Sequence, residues 1–327
     1  MVERVALMKS PGYAVVIVTY NREKLLCECV HRVISQTVPA DKIIIVNNAS
    51  TDGTKKYLEE LSARETVCEI IECPRNIGGA GGFANGISRA FKYNVDCVLM
   101  IDDDAMLAPD YMEKLLKAKA EKPAYSALAG SVKVNGKIDT GHRKRLSKTG
   151  MFFKDCAASL YQNAYFECDI ASFCGMLLDK KLMMQIGLPH EEYFIWHDDA
   201  EYSLRIRKHS RFLVIPDAVL DHMTEGNKEK TYPRRYNWRD YYNIRNRLLL
   251  VEEHGGIQDK ILNHLYMFLH IVCRNWLFGF IMAGKYDWEY EKHLVRKAYK
   301  DTRSMQSSRK RTVWKNSGIC IRKESHS

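Results

Sequence analysis

Residues 95–104 read Val-Asp-Cys-Val-Leu-Met-Ile-Asp-Asp-Asp, an apolar run of strand length that ends in three consecutive aspartates. Three earlier runs of similar composition, Tyr13–Thr19, Lys42–Val46 and Cys68–Glu72, are separated from it and from one another by helical patterns. Short buried strands that alternate with helices are typical of a parallel sheet with crossover helices. In such sheets, ligands bind beyond the carboxyl ends of the strands. The sequence therefore predicts an α/β fold of the nucleotide-binding type, with the aspartates at its binding edge.

The remaining elements follow from the same patterns of apolar spacing. Between residues 127 and 165 the pattern is mixed and predicts only short strands. We predict helices at Glu23–Gln36, Thr54–Ala63, Gly82–Tyr93, Lys180–Ile186 and Asp199–Lys208 and from Tyr241 onward, and strands at Val95–Ile101, Ile170–Leu178 and Arg211–Pro216.

The composition is that of an ordinary globular protein. Of 327 residues, 46% are hydrophobic and 28% are charged, which excludes a fibrous or a disordered chain. Ten cysteines at irregular spacing, without a Cys-x-x-Cys pair, favour free thiols in a reducing compartment over a disulfide framework. The first residues contain no apolar stretch of signal-peptide length, so we expect a cytoplasmic protein.

The net charge of +10 lies entirely in the last third of the chain. Residues 1–222 carry 29 Lys or Arg and 29 Asp or Glu, whereas residues 223–327 carry 21 and 11. A basic C-terminal segment suits an anionic partner, either a membrane surface or a nucleic acid. Nucleic-acid binding is not expected, because the charge adjoins an apolar helix and no recognised nucleic-acid-binding module is visible.

The C-terminal segment also contains an apolar run of about nineteen residues, Leu265–Ala283, which is long enough to span a bilayer. His270 and Arg274 interrupt the run on one helical face, and a charge at mid-membrane is costly. We therefore expect a helix that lies at a membrane interface or packs in a core. Basic residues follow this run, and their charges are suitable for contact with anionic lipid headgroups. The alternative is that the helices form a solvated subdomain or an oligomer contact. The basic residues are Lys292, Arg296, Lys297, Lys300, Arg303, Arg309, Lys310 and Arg311.

The aspartate triplet is a candidate metal site. Asp102 and Asp104 stand two positions apart, so in a strand their side chains project to the same side. Two carboxylates on one side are suitable ligands for Mg²⁺ or Mn²⁺, which also bind the oxygens of a diphosphate. A solvated turn or a helix start, where acids are favoured, is the alternative.

A second acidic cluster, Trp196-His197-Asp198-Asp199-Ala200-Glu201, lies close to Tyr193 and Phe194. A carboxylate in a partly apolar pocket can have the raised pKa that a general base needs. The same residues also fit the start of a helix, with Asp198 or Asp199 as the N-cap. The two interpretations are compatible, because a helix start can face a cleft.

Two further features are open to a functional or a structural interpretation. The run Asn76–Phe83 precedes a helix and could bring backbone N–H groups close to a phosphate or a sugar. Its glycines are Gly78, Gly79, Gly81 and Gly82. The run matches neither the Walker lysine motif nor the dinucleotide fingerprint, and a flexible turn is the alternative. His222 follows a strand and by itself is typical of a structural histidine.

Taken together, these motifs resemble those of the family-2 glycosyltransferases in order and spacing, up to about residue 247. The motifs are Val18-Thr19-Tyr20-Asn21-Arg22, Ile45–Thr54, Asn76–Phe83, Asp102-Asp103-Asp104, Trp196–Glu201 and Asp221-His222. The glycine run and the acidic motifs are most similar to those of bacterial galactofuranosyltransferases and related rhamnosyltransferases. The resemblance implies a glycosyltransferase A-type fold, a mostly parallel sheet flanked by helices, over residues 1–247. Residues 248–327 would form a basic, partly apolar helical extension.

The resemblance also implies roles for individual residues. The nucleotide would lie near Thr19, Asn21, Arg22, Asn47, Asn48 and Asp103, although the family usually has Asp at the position of Asn47. Asp102, Asp104 and His222 would hold a divalent cation, Mn²⁺ or Mg²⁺, on the diphosphate of the donor.

On the acceptor side, the resemblance makes Asp199 the general base of a single inverting displacement, with Asp198 as the second candidate. The donor and acceptor sugars would contact Gly78, Gly79, Gly81, Gly82, Trp196, Asp198 and Glu201.

These inferences lead to the hypothesis of a metal-dependent inverting glycosyltransferase that uses a nucleotide-sugar donor. The expected donor is UDP-galactofuranose, and the expected acceptor is a hydroxyl of a cell-surface glycan or of its lipid-linked precursor at the inner face of the plasma membrane. Transfer of rhamnose from dTDP-rhamnose is the alternative within the family. A non-catalytic nucleotide- or carbohydrate-binding scaffold is the alternative from another class, and a homo-oligomer formed through the C-terminal helices is a further hypothesis.

Overall fold

The computed structural model describes residues 11–224, 237–269 and 292–305 of the chain. The chain divides into two compact units. The first unit comprises residues 1–146, 153–194 and 198–230, and the second comprises residues 147–152, 195–197 and 231–327.

The first unit contains the predicted alternation of strands and helices. Its strands are β1 (Tyr13–Thr19), β2 (Lys42–Asn47), β3 (Cys68–Glu72), β4 (Cys97–Asp102), β5 (Ala105–Leu107), β6 (Ala127–Val134), β7 (Lys137–Ile138), β8 (Arg143–Leu146), β9 (Phe153–Asp155), β10 (Phe166–Cys168), β11 (Ile170–Ala171), β12 (Met176–Asp179) and β13 (Phe212–His222). Its α-helices are α1 (Glu23–Ile34), α2 (Thr54–Arg64), α3 (Gly78–Ala90), α4 (Tyr111–Glu121), α5 (Lys180–Ile186) and α6 (Asp198–Ile206). Short 3₁₀ helices lie at Thr140–His142, Ala158–Gln162 and Glu191–Tyr193.

The main sheet is ordered β10-β13-β6-β12-β4-β1-β2-β3, with β5 paired to β13 and β7 paired to β6. Strands β4, β1, β2 and β3 are parallel, whereas β12 runs antiparallel between β4 and β6. Strands β11, β8 and β9 form a second, small sheet. The mostly parallel sheet with crossover helices agrees with the prediction.

The register of the parallel strands brings the first polar residues together. Thr19 at the end of β1 is paired with Asn47 at the end of β2. Val18 is paired with Asp102, the last residue of β4. The three strands therefore end at one edge of the sheet, where the sequence predicts the ligand.

Helices cover both faces of the central strands. Val15 and Ile17 of β1 belong to the core formed with α1, α2 and α4, whereas Val16 and Val18 belong to the core formed with α3, α5 and α6. Burial on both faces explains why these strands have continuous apolar sequences rather than an alternating pattern.

The predicted helix Gly82–Tyr93 is wrong at its start, because α3 begins at Gly78 and includes the glycine run. A Cβ at Gly82 would lie 2.5 Å from Cγ1 of Val18, and one at Gly86 would lie 2.3 Å from Cγ1 of Val16. Glycine therefore allows α3 to lie directly on β1, and this packing outweighs the low helix propensity of glycine. The flexible-turn alternative is also wrong.

The strand predicted at Arg211–Pro216 is longer than expected, because β13 continues to His222 with a register shift between Ile215 and Val219. The predicted strand Ile170–Leu178 is divided into β11 and β12 by a turn in which Gly175 has a φ of +79°. Because the residues of this turn are mostly apolar, the hydrophobic pattern of the sequence does not distinguish the turn from the strands on either side.

The second unit contains α7 (Trp238–His254), α8 (Ile257–Phe268) and a helix over residues 292–305. Asn237 caps α7 in a capping box with Asp240. The small core of this unit is formed by Ile244, Leu248, Met267, Leu294, Val295 and Ala298. Residue 247, the predicted end of the catalytic domain, lies inside α7, whereas the main segment of the second unit begins at residue 231.

The predicted apolar run Leu265–Ala283 is described only as far as residue 269. His270, Arg274, Arg309, Lys310 and Arg311 lie outside the described residues. Within the described parts of the chain, no helix combines the length and the apolar character that crossing a membrane requires.

Candidate active site

The aspartate triplet lies where β4 ends and turns into β5. Asp102 is the last residue of β4, and Asp103 and Asp104 form the turn that leads to Ala105. Because Ala105 is paired with His222 in the antiparallel contact of β5 and β13, the histidine is brought beside this turn. Its Nε2 lies 3.1 Å from Oδ1 of Asp104.

The end of β1 holds the other side of the turn. The Thr19 hydroxyl donates a hydrogen bond to Oδ2 of Asp103 at 2.7 Å. Nη1 of Arg22 donates to Oδ1 of Asp103 at 3.0 Å and also to Oδ2 of Asp104. Asp103 and Asp104 are buried, whereas the Arg22 side chain is 45% exposed. The guanidinium thus neutralises buried charge and still reaches the surface.

The arrangement fits a divalent cation. Asp102, Cys174 and His222 each offer a ligand atom, and these atoms all lie within 4.8 Å of one another. Oδ1 of Asp104 is buried and receives no hydrogen bond of regular geometry among the described residues, although it faces His222. A buried carboxylate oxygen without a regular donor, beside further oxygen and nitrogen ligands, is suited to Mg²⁺ or Mn²⁺. The structure therefore brings together the predicted residues Asp102, Asp104 and His222.

The electrostatics of this cluster also favour a cation. Burial and the neighbouring charge of Asp104 raise the pKa of Asp102 to about 7. Burial raises the pKa of Asp103 to about 6, although Arg22 and Thr19 oppose the shift. Burial also opposes ionisation of Asp104, but the close contact with His222 and the charges of His222 and Arg22 hold its pKa below the usual value. Asp102 is thus the hardest of the three carboxylates to ionise in the protein alone, and a bound cation would stabilise its charge.

Asp198 and Asp199 begin α6, and their environments separate their pKa values. Burial raises the pKa of Asp199 to about 6, while the Ala200 N–H, which donates to its Oδ1 at 2.6 Å, and the charge of Lys144 oppose the rise. Burial and the charge of Asp199 raise the pKa of Asp198 well above its usual value. Of the two, Asp199 therefore has the less raised pKa and is the better candidate to accept a proton.

The two acidic clusters lie within electrostatic reach of each other. The charge of Asp102 contributes to the raised pKa of Asp198. Arg143 also links them, because its charge lowers the pKa of Asp199 and its Nη2 donates to the carbonyl oxygen of Cys174 at 3.0 Å. The carboxylates of Asp102 and Asp198 are therefore close enough in the first unit for their charges to interact.

Asn47 and Asn48 form hydrogen bonds within the protein. Oδ1 of Asn47 accepts from the Ser50 N–H at 3.1 Å. Nδ2 of Asn48 donates to the carbonyl oxygen of Gly78 at 3.0 Å, and its Oδ1 accepts from the Ile77 N–H at 2.8 Å. These bonds shape the loops after β2 and before α3, and a contact with the nucleotide base stays a prediction.

Asn21 lies at the exposed end of the first strand, beside the loop that follows β2. It has a φ of +54°, and its Oδ1 accepts from the Thr51 N–H at 2.6 Å. Its own N–H donates to Oγ of Ser50 at 2.9 Å. The loops that would surround a nucleotide are therefore tied to each other by polar side chains.

The glycines of α3 have different surroundings. Gly78 has a φ of +76°, and a Cβ there would lie 2.1 Å from the carbonyl oxygen of Phe194. A Cβ at Gly81 would lie 3.0 Å from the Ile77 side chain, whereas no atom of the described residues lies within 4 Å of one at Gly79. Packing and backbone geometry therefore explain most of this run, and Gly79 has the open space that an approaching ligand would need.

Glu201 and Trp196, both predicted to contact a sugar, lie in different environments. Glu201 is wholly buried and forms an ion pair with Arg205 at 2.8 Å, which favours a role in stabilising α6. Trp196 belongs to the second unit, is 49% exposed and has a left-handed φ of +68°. Its carbonyl oxygen accepts from Nδ2 of Asn246 at 2.8 Å. An exposed indole on a strained backbone is typical of a binding residue.

Residues 14–186 match the family model described as glycosyl transferase family 2. The matched segment is more than half of the chain and contains the glycine run and the aspartate triplet. The chain belongs to glycosyl transferase family 2. This membership agrees with the resemblance carried by the sequence motifs.

Curated relatives of this family-2 glycosyltransferase include two from Mycolicibacterium smegmatis. Galactofuranosyltransferase GlfT2 is 24% identical over 305 residues, which are 82% of this chain and 46% of the relative. Galactofuranosyltransferase GlfT1 is 34% identical over 198 residues, which are 58% of this chain and 64% of the relative. The chain therefore spans less than two thirds of the length of either relative.

Solved structures confirm the glycosyltransferase A-type fold. GalNAc-T7 with UDP, GalNAc and Mn²⁺ has a TM-score of 0.60 at 17% identity, over 75% of this chain and 48% of that chain. Residues 1–349 of S. aureus TarS with UDP-GlcNAc have a TM-score of 0.57 at 14% identity, over 89% of this chain and 80% of that chain. At these identities the likeness concerns the fold.

Two residues of this glycosyltransferase site were not predicted from the sequence. Cys174 stands inside an apolar run, where only the following Gly175 indicated a turn. Arg143 stands in the basic run His-Arg-Lys-Arg, which is typical of a solvated surface, yet its side chain is wholly buried. Its Nε donates to the carbonyl oxygen of Gly130 at 3.1 Å. Neither contact has a signal in local sequence, because both depend on the pairing of distant strands.

Proposed function

We propose that this family-2 glycosyltransferase is metal-dependent and inverts the configuration at the anomeric carbon of the sugar. One observation carries the proposal, namely that two acidic clusters of different character lie within electrostatic reach of each other. In one, Asp102 and His222 offer ligand atoms within 4.8 Å of each other. In the other, Asp199 is the more acidic member of a half-buried carboxylate pair. A cation site beside a general base is what transfer from a diphosphate leaving group requires.

Asp102, Asp104 and His222 would hold a divalent cation, Mn²⁺ or Mg²⁺, which when bound supplies positive charge to the departing nucleoside diphosphate. We assign the half-exposed guanidinium of Arg22 to the same diphosphate, because it already bridges Asp103 and Asp104. The GalNAc-T7 structure, which shares the fold and was solved with UDP and Mn²⁺, supports this assignment.

Asp199 removes the proton from the acceptor hydroxyl as its oxygen attacks the anomeric carbon. The attack comes from the face opposite the diphosphate, so the new C–O bond forms as the bond to the diphosphate breaks. The diphosphate leaves with the electron pair of that bond, and the configuration is inverted. Asp198, whose pKa is raised by burial and by the charge of Asp199, would in its protonated form donate a hydrogen bond to a substrate hydroxyl.

The proposed donor is UDP-galactofuranose, with a glycan or a lipid-linked glycan as acceptor. The names of GlfT1 and GlfT2 support galactofuranose, and the UDP-GlcNAc in the TarS structure supports a uridine nucleotide. The proposed nucleotide residues are Thr19, Asn21, Arg22, Asn47, Asn48 and Asp103, and the proposed sugar residues are Gly78, Gly79, Gly81, Gly82, Trp196 and Asp198. Glu201, predicted from the motif to contact a sugar, is wholly buried and paired with Arg205, so it is assigned to α6 instead. Transfer from dTDP-rhamnose and a non-catalytic scaffold are the competing hypotheses.

The test is calorimetric binding of UDP, TDP and GDP to the purified protein, each in Mn²⁺ and in EDTA. We expect metal-dependent binding of UDP, followed by transfer when UDP-galactofuranose and a galactan acceptor are supplied. A preference for TDP would favour the rhamnose hypothesis. The absence of nucleotide binding in every condition would refute the enzymatic proposal in favour of the scaffold.

We further propose that the C-terminal helices bind an anionic membrane surface at the cytoplasmic leaflet. Large apolar side chains on α8 are exposed, with the exposed fraction reaching 79% at Ile257 and 61% at Ile261. The exposed apolar residues are Ile257, Ile261, Leu262, Leu265, Tyr266, Phe268 and Leu269. In the helix over residues 292–305, exposed basic residues recur every three or four positions at Lys292, Arg296, Lys300 and Arg303. An apolar stripe with basic neighbours is typical of an interfacial helix.

Vesicle flotation with phosphatidylcholine alone and with added phosphatidylglycerol tests this surface. We expect flotation that needs the anionic lipid and is lost in Ile261→Glu. Gln258→Glu adds the same charge at an exposed polar position of α8 and should float as the wild type does. If neither the wild type nor Gln258→Glu floats and sedimentation gives a dimeric mass, the membrane proposal is refuted, and a second copy of the chain is the partner of this surface.

A further inference from the structure

A buried thiol lies against the proposed cation site. Sγ of Cys174 is within 4.8 Å of a carboxylate oxygen of Asp102 and a ring nitrogen of His222. Cys174 is 1% exposed. The family resemblance and the sequence motifs give this cysteine no role, and the proposed mechanism does not use it.

The turn that carries the thiol is fixed on both sides. The carbonyl oxygen of Cys174 accepts from Nη2 of Arg143 at 3.0 Å. The N–H of the next residue, Gly175, donates to the carbonyl oxygen of Met100 at 3.1 Å, and its carbonyl oxygen accepts from the Tyr111 hydroxyl at 2.9 Å. Gly175 also has a φ of +79°, a backbone angle that residues other than glycine rarely adopt. The backbone therefore sets the position of the sulfur next to Asp102.

A second observation points to a ligand at the same place. Asp104 is 3% exposed, and its Oδ1 has no hydrogen bond of regular geometry among the described residues while it faces His222. A buried carboxylate oxygen of this kind is costly unless something with positive charge approaches it. Asp104 thus adjoins His222, which belongs to the same group of potential ligand atoms as the sulfur and Asp102.

We propose that Cys174 is a ligand of this site, so that it binds thiophilic divalent cations such as Zn²⁺, Co²⁺ and Cd²⁺ through sulfur as well as through Asp102, Asp104 and His222. The inference rests on the proposed function, because it concerns the same cation site. Ligand atoms about 2.0 to 2.3 Å from a zinc ion are about 3.3 to 3.8 Å from one another. The ligand atoms of Asp102, Cys174 and His222, which lie within 4.8 Å of one another, are close enough to reach this geometry with small side-chain movements. Binding forms a thiolate and releases the thiol proton to solvent.

The thiol changes the selectivity of the site. Oxygen ligands suit Mg²⁺ and Mn²⁺, whereas sulfur strongly favours the later transition metals. Zn²⁺ should therefore displace Mn²⁺ from the protein. Cys174→Ser should weaken Zn²⁺ and Co²⁺ binding by about tenfold or more and change Mn²⁺ binding much less, because serine removes only the soft ligand.

Cobalt absorption spectroscopy of the full chain tests the inference. Co²⁺ bound by thiolate gives a sulfur-to-metal charge-transfer band that an oxygen and nitrogen site lacks. We expect this band in the wild type, its loss in Cys174→Ser and its retention in Cys29→Ser. Cys29 is a matched control, because it is also buried and its Sγ lies 3.6 Å from the carbonyl oxygen of Asp102.

The outcomes separate this inference from the proposed function. Co²⁺ and Mn²⁺ binding without a sulfur band, or a band that persists in Cys174→Ser, would overturn the role of Cys174 and leave the metal-dependent enzyme standing. Failure of Mn²⁺ to bind in electron paramagnetic resonance, with or without UDP, would overturn the cation site itself. If Cys174→Ser does not fold, X-ray absorption of the zinc-loaded wild type decides, because a sulfur neighbour is required and its absence refutes the inference.

Discussion

Substitution of the two adjacent aspartates at the start of α6 should have unequal effects. Asp199→Asn removes the proposed base while keeping the size of the side chain, so the rate of transfer should fall by about 10² to 10⁴. Asp198→Asn substitutes an isosteric neutral amide for a carboxyl group whose pKa is raised well above its usual value by burial and by the charge of Asp199. It should retain most of the activity. The pair is a matched control, because both residues stand in the same turn of the same helix.

The pH profile of the wild type provides the magnitude. With the pKa of Asp199 raised to about 6 by burial, about nine tenths of the side chains are ionised at pH 7 and about one tenth at pH 5. The base must be ionised to accept a proton, so activity is present above this pKa and is lost as the pH falls through it. We expect kcat/KM for the acceptor to fall about tenfold between pH 7 and pH 5. An aspartate of ordinary pKa would show little loss above about pH 5.

The assay is release of UDP from the donor in the presence of acceptor, measured across pH 4.5 to about 8 at saturating Mn²⁺. Binding of UDP to each variant is measured in parallel, so that a loss of donor affinity is not taken for a loss of chemistry. Equal activities of the two variants, or a profile that is flat down to pH 5, would refute the assignment of Asp199.

Four further substitutions test the cation site, the surroundings of the base and the packing of α3. Asp102→Ala should abolish Mn²⁺-dependent binding of UDP while circular dichroism stays unchanged, and binding that survives would exclude this residue as a ligand. Arg143→Met should move the acid limb of the pH profile to higher pH, because the charge of Arg143 lowers the pKa of the base; a limb at lower pH would contradict this. Gly82→Ala should lower the free energy of unfolding by about 1 to 3 kcal/mol, since its Cβ would lie 2.5 Å from a valine of β1. Gly79→Ala, with open space around its Cβ, should be neutral or stabilising in denaturant titration.

The central strands could be predicted because each is a continuous apolar run of suitable length. Tyr13–Thr19 and Cys68–Glu72 have the predicted bounds in the structure. The start of α3 could not be predicted, because its helical state depends on contact between glycines and β1 rather than on local propensity. The full length of β13 was also hidden, since Pro216 and a register shift interrupt its local pattern.

The candidate site divides in the same way. Asp102 and Asp104 could be selected from their spacing in a strand, because both the alternation of side chains and the chemistry of oxygen ligands are local properties. Cys174 and Arg143 could not, since the pairing of β12 with β4 and of β8 with β11 brings them to the site. The choice between Asp198 and Asp199 rested on motif position in the sequence, whereas the structure adds a physical reason, the separation of their pKa values.

The charges of the aspartate turn imply that cation and nucleotide bind together. Three buried or half-buried carboxylates, Asp102, Asp103 and Asp104, face the guanidinium of Arg22 and the imidazole of His222. Without a cation, a diphosphate at this turn would be repelled by the negative charge of the carboxylates. A divalent cation would attract both the diphosphate and the carboxylates. By linkage, Mn²⁺ must then tighten UDP binding by the same factor by which UDP tightens Mn²⁺ binding. The two factors can be measured separately by calorimetry, and UDP that binds equally well in EDTA would show that its diphosphate does not lie at this turn.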